Sequence, residues 1–537
     1  MRRSNNGRRP SSSRDNTSDW HITRPPGMSA AIWALYQACA RGRLSRVREL
    51  LKKTPHHVNF QFAYRFPIHM AVLGGHTAVV QLLLEHGANP GLSNHLYDSW
   101  DRLLGYACER EFSQIEAVIR QTLQVHFNFN PDFELLRQAI AARSPRKIDS
   151  LLRRHPKLAQ ASDALGNNAV HWCVLTRQPE FIDRFARRGT SVVAERADGY
   201  TPILLAVTPA LADLPTVAVL RSWGAPDNLT VAAATGDEVR VNEFLRQDRD
   251  AARRLDSARI SPLARAARHG YVAIVRQLLK HGANPNIPQA AAPSGLALYE
   301  ACRGNHLDVA QLLLQHGANP NAGVDSCECC LTIGSHYHGP LAEPIQNLLR
   351  QYGAYTPPYA LSALEFRRAL RNDSPVTRDE EFVDHLLANS GPKTWELYLD
   401  SRPGVTDRLE NWSGAHVSSP ALLRRLLARG LNPNRPNWLG RTNLHACAEN
   451  GDRAGAAILL QAGADIHARD FEFQGTPLAS AVRCPDANLR RPMVEFLLKR
   501  GAAPNLPGDQ AWSTPLAWAR KRGLQDIKTI LLNHGAR

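Results

Sequence analysis

One short segment of the chain concentrates the residue types that bind metals. Three cysteines, Cys327, Cys329 and Cys330, are followed by His336 and His338. Thiolate and imidazole groups are good ligands for zinc, and a closed zinc site needs four of them. The Cys-x-Cys-Cys spacing lacks the two-residue gap of familiar zinc-binding pairs, and the alternative is an inserted loop that leads into a helix carrying Cys330. We therefore expect no bound metal or cofactor, and these five residues remain the candidates to test.

The chain lacks the familiar sequence motifs of enzymes. It contains no Gly-x-Gly for a dinucleotide-binding turn and no Gly-Lys for a phosphate-binding loop. The metallopeptidase motif His-Glu-x-x-His and the hydrolase motif Gly-x-Ser-x-Gly are also absent from the sequence. We therefore expect a protein that is not an enzyme.

Composition narrows the class of protein further. The 537 residues include 65 basic and 49 acidic ones, which gives a formal charge of +16. No apolar run approaches the ~18 residues that a membrane-spanning helix needs. Residues 1–28 are rich in Arg, Ser and Asn and have no apolar core of a secretory signal, so they are predicted to form a disordered basic leader. The nine cysteines are too few for a disulfide scaffold, and we expect a cytoplasmic protein without a membrane partner.

Arginine supplies most of the positive charge, because only nine of the 65 basic residues are lysines. A guanidinium group pairs bidentately with carboxylate or phosphate, so one interpretation is an acidic partner, and the other is codon bias. The arginines are scattered, and no run of five or six like charges occurs. No nucleic-acid-binding module is present either. We do not expect nucleic acid as the partner, and polyanion binding is kept as the alternative function.

The elements that must position these residues recur with a fixed period. The sequence Gly-Ala-Asn-Pro-Asn begins at Gly282 and again at Gly317, 35 residues later. A Gly that follows a short small-residue segment occurs at Gly270 and at Gly304, 34 residues apart. A period of this length indicates one supersecondary unit repeated along the chain rather than several unrelated domains.

Each repeated unit is built from the same parts. A Ser/Thr-Pro-Leu step opens it, as at Ser261–Leu263, because Ser or Thr caps the free N–H groups of a helix and Pro fits the first turn. A short helix follows and ends at a Gly such as Gly270. A second helix then carries apolar residues at helical spacing, as at Ile274 and Leu278. A Gly-Ala step closes the unit, with Gly where a positive φ is required.

These units resemble the ankyrin repeat, whose pattern runs Thr-Pro-Leu-His, Gly-His, Val-x-x-Leu-Leu and Gly-Ala-Asp/Asn. We count about fourteen units, and the clearest copies are 68–89, 261–286, 297–321, 442–465, 476–505 and 514–536. The resemblance implies an all-α-dominated repeat solenoid of stacked helix-turn-helix units with short β-hairpin or loop tips. It also implies binding of other macromolecules through the tips and the concave inner-helix face, usually without catalysis.

The spacing of the repeats, and the places where their consensus is lost, predict how the chain is divided into arrays. We expect a first array over residues 29–356, with a loop insertion at 322–340. Degenerate repeats or a hinge are expected over 357–419, where the consensus letters are lost. A second array, with the most regular repeats, is expected over 420–537.

The repeat pattern also assigns structural roles to histidines and cysteines. In the family, the imidazole of the Thr-Pro-Leu-His step bonds to backbone of its own or the next repeat, which is the role expected for His69 and His445. Four histidines before the terminal Gly are expected to cap the end of the second helix, namely His86, His281, His316 and His534. Five cysteines in inner helices are expected to be small buried core residues, namely Cys39, Cys108, Cys173, Cys302 and Cys447.

Partner-binding residues are expected where aromatic or basic side chains replace polar consensus residues at the tips. The candidates are Tyr200, Trp438, Arg441, Phe473 and Trp512, because exposed Trp, Tyr and Arg are common interface anchors. The alternative is that each tip folds back on its neighbour. We expect a non-catalytic adaptor or scaffold that binds a protein of unknown identity. A secreted effector that uses the same surface is a further alternative.

Overall fold

A computed structural model describes most of the chain. The described residues are 24, 28–62, 65–92, 103–208, 211, 213–289, 292–324, 329–354, 399–400 and 419–537. The predicted leader over residues 1–28 and the predicted hinge over 357–419 lie almost wholly outside them, and both stay predictions.

Pairs of antiparallel helices stack in three successive groups. The N-terminal stack contains helices Ala30–Ala40, Leu44–Lys53, Pro67–Leu73, Thr77–Glu85, Leu103–Glu109 and Ser113–Phe127. The middle array contains Phe133–Ala141, Pro145–Arg154, Ala169–Leu175, Ile182–Ala186, Pro202–Ala206, Leu214–Ser222, Leu229–Thr235, Glu238–Gln247, Pro262–His269, Val272–Lys280, Ala297–Arg303, Leu307–Gln315, Cys330–His338 and Glu343–Gln351. The C-terminal stack contains Pro420–Ala428, Asn443–Asn450, Arg453–Gln461, Pro477–Arg483, Ala487–Lys499, Pro515–Lys521 and Gln525–Asn533.

The prediction of an all-α-dominated repeat solenoid is confirmed. In each unit the first, or inner, helix packs against the inner helices of neighbouring units, and the second, or outer, helix covers it. Within the described residues the tips are loops with a few isolated β-bridges, such as Phe62 with Arg65 and Gln289 with Ala292, rather than β-hairpins. The predicted insertion at 322–340 contains the inner helix Cys330–His338, so it is only partly a loop.

Local sequence explains where the inner helices begin and end. The hydroxyl of Ser261 accepts a hydrogen bond from the backbone N–H of Ala264 at 3.1 Å, and Thr514 does the same for Ala517 at 3.1 Å. These caps satisfy helix N–H groups that have no partner within the helix. Gly270 then ends its helix with φ of +76°, a conformation that costs little for Gly alone.

Histidines between the two helices of a unit tie neighbouring units together. The Nε2 atom of His76 lies 2.9 Å from the carbonyl oxygen of Ala40, at the end of the preceding inner helix. The imidazole of His306 makes the equivalent contact with Arg268 at 3.1 Å. These carbonyl groups lie at helix ends and have no hydrogen-bond partner within their own helix. The histidines supply that partner and hold adjacent inner helices at a fixed distance.

The structural roles expected for the other histidines are confirmed. The imidazole of His445 contacts the hydroxyl of Thr442 at 2.9 Å and the carbonyl oxygen of Gly475, in the next unit, at 3.2 Å. The Nδ1 atom of His69 accepts a hydrogen bond from the backbone N–H of Phe66 at 3.3 Å. Each of the four capping histidines places Nδ1 2.8 Å from a carbonyl oxygen one turn back: His86, His281, His316 and His534.

The cysteine prediction is right at four positions and wrong at one. Cys39, Cys173, Cys302 and Cys447 are buried in the core, whereas Cys108 is exposed. In the helix that carries Cys108, Leu103–Glu109, the buried side chains are those of Leu103, Leu104, Tyr106 and Ala107, so Cys108 lies on the more exposed side. The eight cysteines of the described residues form no disulfide.

The ends of the chain share one hydrophobic core. Trp438, Leu439 and Phe471 of the C-terminal stack are buried in the same cluster as Tyr36 and Phe66 of the N-terminal stack. The inner-helix face of the N-terminal stack therefore receives the tips of the C-terminal stack. This contact decides where most of the predicted binding residues lie.

Candidate protein-binding surface

Tyr200, the first predicted anchor, is packed between two arginines. The guanidinium carbon of Arg196 lies 5.2 Å from the centroid of its ring, and that of Arg265 lies 5.3 Å from it. Asp198 binds Arg196 with two hydrogen bonds of 2.7 Å, and Asp256 pairs with Arg265 at 2.9 Å. Burial raises the pKa of Tyr200 above its ordinary value. This tip folds back on its neighbours, as the alternative interpretation predicted.

Trp438 and Trp512 are buried, so the expectation that they are exposed at the tips is wrong. Only 5% of Trp438 and 3% of Trp512 is exposed. The ring of Trp438 lies edge-on to Phe62 at a centroid distance of 6.2 Å, and Trp512 lies edge-on to Phe112 at 6.0 Å. Both phenylalanines belong to the N-terminal stack, so both tryptophans contact the chain's own first repeats.

Phe473 and Arg441 are half-buried beside the same contact. The guanidinium carbon of Arg483 lies 3.2 Å from the ring centroid of Phe473, and Trp518 lies edge-on to that ring at 6.1 Å. Arg441 forms an ion pair with Glu449. Nothing in the structure tests the role of the five predicted anchors in binding a partner, and that role stays a prediction.

Glu472, which the sequence did not single out, lies at the centre of this contact. Its side chain is 12% exposed and forms an ion pair with Arg65 of the N-terminal stack. Burial by itself raises the pKa of Glu472, but the nearby guanidinium groups of Arg65, Arg441, Arg483 and Arg110 outweigh burial and hold that pKa below its ordinary value. The carboxylate is therefore ionised at neutral pH.

Arg110 completes the contact from the N-terminal side. Its side chain is fully buried, with its guanidinium carbon 5.1 Å from the ring centroid of Tyr106 and 4.9 Å from that of Trp512. It donates hydrogen bonds to the carbonyl oxygen of Glu472 at 2.6 Å and to the carboxylate of Glu109 at 3.0 Å. Burial lowers the pKa of Arg110 below its ordinary value.

The predicted metal candidates do not converge in the part of the chain that the structure describes. Cys327 lies outside the described residues. Cys330 is buried at the start of its helix, and burial raises its pKa well above the ordinary value, which disfavours a thiolate ligand. The Nε2 atom of His338 contacts the carbonyl oxygen of Arg303 at 3.0 Å, the role that His76 and His306 play in their units, and His336 is exposed. No group of three His, Cys, Asp or Glu side chains suited to a metal occurs among the described residues.

Comparison with protein families agrees with this geometry. Residues 229–323 match the family profile described as "Ankyrin repeats (3 copies)", and residues 64–95 and 439–471 match the one described as "Ankyrin repeat". Ankyrin repeats are therefore present in three parts of this chain. Ankyrin repeats bind protein partners in general, and the family is typically non-enzymatic.

Curated proteins similar to this chain differ widely from one another. The potassium channel KOR2 of Oryza sativa subsp. japonica is 40% identical over 76 residues, 14% of this chain and 10% of the channel. The palmitoyltransferase ZDHHC13 of Mus musculus is 26% identical over 141 residues, 26% of this chain and 22% of the transferase. The putative ankyrin repeat protein YahD of Escherichia coli K12 is 32% identical over 117 residues, 21% of this chain and 57% of YahD. The chain thus matches at most 57% of the length of these three relatives.

The middle array presents a second candidate surface, which sequence reasoning missed. Glu300 pairs with Arg268 of the preceding inner helix at 3.2 Å and with Arg303 of its own helix at 3.9 Å. Arg303 donates a hydrogen bond to the hydroxyl of Tyr337 at 3.3 Å, and its guanidinium carbon lies 5.1 Å from that ring's centroid. Tyr337 is 54% exposed. The helical spacing of these residues within their repeats is the signal that points to this surface.

None of the helices in the described segments is long and apolar enough to cross a membrane.

Proposed function

We propose that this protein is a non-catalytic adaptor of the cytoplasm that binds a protein partner on its inner-helix face. The supporting observation is the row of Arg268, Glu300, Arg303 and Tyr337, which carries side chains of both charges beside a half-exposed aromatic ring. Arg and Tyr are residue types that anchor protein interfaces. The row lies on stacked helices that fix its geometry, so little side-chain entropy is lost when a partner binds.

Tyr337→Ala combined with Arg303→Ala tests this surface. Tagged wild-type protein and the double variant are used to retain partners from a lysate, with and without nuclease and over a series of salt concentrations, and the retained proteins are identified by mass spectrometry. We expect a protein retained by the wild type after nuclease at moderate salt, and at least tenfold less of it on the double variant. Arg246→Ala, on an exposed outer-helix position, is the matched control for charge and should retain the partner like the wild type.

Polyanion binding is the second candidate, because the chain carries a formal charge of +16. If binding disappears with nuclease or falls steeply with salt, this candidate replaces the adaptor, since release of counterions from phosphates makes such binding salt-dependent. A secreted effector would use the same row of residues, and the partner's own compartment would distinguish it from a cytoplasmic adaptor. Of the five residues predicted from the sequence, Trp438 and Trp512 lie against the N-terminal stack with Phe473 and Arg441 beside them, and Tyr200 lies in the middle array.

A further inference from the structure

The N-terminal stack and the tips of the C-terminal stack form an interface within one chain. It combines a shared hydrophobic cluster, which includes Trp438 and Phe471, with charged side chains. At its centre Arg65 and Arg110 of the first repeats face Glu472 of a C-terminal tip. Around them, Gln474 donates a hydrogen bond to the carbonyl oxygen of Leu73 at 3.0 Å, and the ammonium of Lys521 binds the carbonyl oxygen of Glu109. The interface thus joins side chains that lie more than 350 residues apart in the sequence.

Several buried polar atoms at this interface have no hydrogen-bond partner in the described part of the chain. They are the Nε atom of Arg110, the indole N–H of Trp512 and one carboxylate oxygen of Asp470. A buried polar group without a partner destabilises the contact that buries it. Elsewhere in the stacks, caps such as those of Ser261 and His306 satisfy helix ends, although single buried atoms such as Nε2 of Gln289 also have no partner in the described residues. The buried charged side chains at this interface are typical of contacts between domains, which are more polar than permanent interfaces.

We propose that this interface is a releasable intramolecular clasp, in which the N-terminal stack covers the aromatic tip surface of the C-terminal stack formed by Trp438, Phe473 and Trp512. The clasp adds a second partner-binding surface to the proposed function, and this surface does not depend on the row of residues around Tyr337. Release exposes three aromatic rings around the carboxylate of Glu472. The side chains that cover this surface indicate which groups fit it. Arg110 places a guanidinium and Phe112 an aromatic ring against Trp512. A partner that holds the clasp open therefore presents an arginine beside an aromatic side chain.

Two substitutions open the clasp from opposite sides in the full-length chain. Glu472→Gln removes the carboxylate that pairs with Arg65, and Arg110→Gln removes the guanidinium that donates to the backbone carbonyl oxygen of Glu472. Hydrogen exchange is measured by mass spectrometry at residues 437–440 and 511–513 of the tips, and at the helix Asn443–Asn450 behind them. We expect at least tenfold faster exchange at the tips in both variants and unchanged exchange in that helix. Glu495→Gln is the matched control, because its ion pair with Arg491 is exposed, and it should leave all three segments unchanged.

Two results would overturn the clasp. One is protection at the tips that stays at the wild-type level in both variants, which would mean that the contact does not open. The other is loss of protection in the tips and in Asn443–Asn450 together, which would mean that the contact is part of the folding unit of the C-terminal stack. Neither result bears on the row around Tyr337, so failure of the clasp and failure of the adaptor function are distinguishable.

The complementary chemistry is tested with a defined probe, the tripeptide acetyl-Phe-Arg-Phe-amide. Arg110→Gln leaves the C-terminal surface intact and uncovered, so we expect it to bind the tripeptide at millimolar concentration with a change in tryptophan fluorescence. The wild type, whose surface is covered, and the double variant Arg110→Gln/Glu472→Gln should bind at least tenfold more weakly. Equal binding to the single and double variants would show that Glu472 does not recognise the arginine.

Discussion

Arg65 and Glu472 form a nearly buried ion pair across a sequence separation of 407 residues. One residue precedes the second inner helix of the chain and the other lies in a tip near its end. Their side chains are 11% and 12% exposed. The pair shows that the tips of the last repeats, which usually face a partner in this family, here contact the first repeats.

The coupling between these two residues is measurable. Removing one member of the pair leaves the other charge without its counter-charge and weakens the contact that buries it. We expect Arg65→Gln and Glu472→Gln each to destabilise the protein in urea unfolding, and the double variant to lose less than the sum by about 1–3 kcal/mol. Additive losses would mean that the two groups do not interact in solution.

Acid should destabilise the middle array through His171. Burial, and then the charge of Arg196, lowers the pKa of His171 to about 3, against an ordinary value of 6.5. Between these two pH values the unfolded chain binds a proton that the folded chain does not, so stability falls as pH is lowered from about 6.5 to about 3. The slope is about 1.4 kcal/mol per pH unit.

His171→Gln isolates this contribution. We expect the variant to be less stable at pH 7, because it loses the contacts of the imidazole, and to lose less stability on acidification than the wild type does. Urea midpoints at pH 7.0 and pH 5.0 provide the comparison. His445 is a poorer choice, although its pKa also falls to about 3, because burial raises the pKa of the neighbouring Asp470 to about 6 and a proton gained there stabilises the folded state in acid. A pH dependence identical to that of the wild type would contradict the assignment to His171.

Gly199 should not tolerate a side chain. Its φ is +81°, and an added Cβ would lie 1.9 Å from the carbonyl oxygen of Ser257 in a neighbouring tip. Gly224 has a similar φ of +85° with nothing within 4 Å of the added atom. We expect Gly224→Ala to cost about 1 kcal/mol for the backbone conformation alone. Gly199→Ala should cost a further 1–3 kcal/mol for the steric clash, as measured by urea unfolding. Equal losses would show that the two tips are not in contact.

Substitution of Asp256 should reduce the stability of the fold far more than substitution of an exposed aspartate. Its side chain is 3% exposed and pairs with Arg265, which is 6% exposed, at 2.9 Å. Asp256→Asn leaves the guanidinium of Arg265 buried without its counter-charge, and we expect a loss of about 3–5 kcal/mol. Asp250→Asn removes a pair with Arg253 in which both side chains are more than 60% exposed, and the change should stay within about 0.5 kcal/mol. Thermal unfolding of both variants makes the comparison, and similar shifts would contradict the burial of the first pair.

The zinc content of the purified protein tests whether the five candidate residues bind metal. We expect equal zinc, near background, in purified wild type and in Cys327→Ser/Cys329→Ser, measured by elemental analysis. The reason lies in Cys330 and His338, because burial keeps the first as a thiol and the second contacts the carbonyl oxygen of Arg303. One zinc per chain in the wild type, lost in the variant, would establish a site.

Much of the fold could be predicted from local sequence. The caps at Ser261 and Thr514, the positive φ of Gly270 and the carbonyl contacts of the capping histidines all act within one turn or one neighbouring unit. Interactions of such short range leave a direct trace in residue type and spacing. The repeat period and the helix pairs were therefore accessible from the spacing of residues, and the structural role of His445 followed from the resemblance to the ankyrin repeat.

Whether the predicted binding residues are exposed or buried depends on contacts between distant repeats, which the spacing of residues does not reveal. Trp438 and Trp512 occupy tip positions in their own repeats, but Phe62 and Phe112 of distant repeats bury them. Nothing in the sequence around Glu472 distinguishes it from other acidic loop residues. Its role follows from its contacts with Arg65 and Arg110, which are distant in the sequence. The repeat pattern determines how each unit stacks on the next, because that packing is local. Only the tertiary structure decides which surfaces the two ends of the solenoid cover, because that follows from geometry accumulated over hundreds of residues.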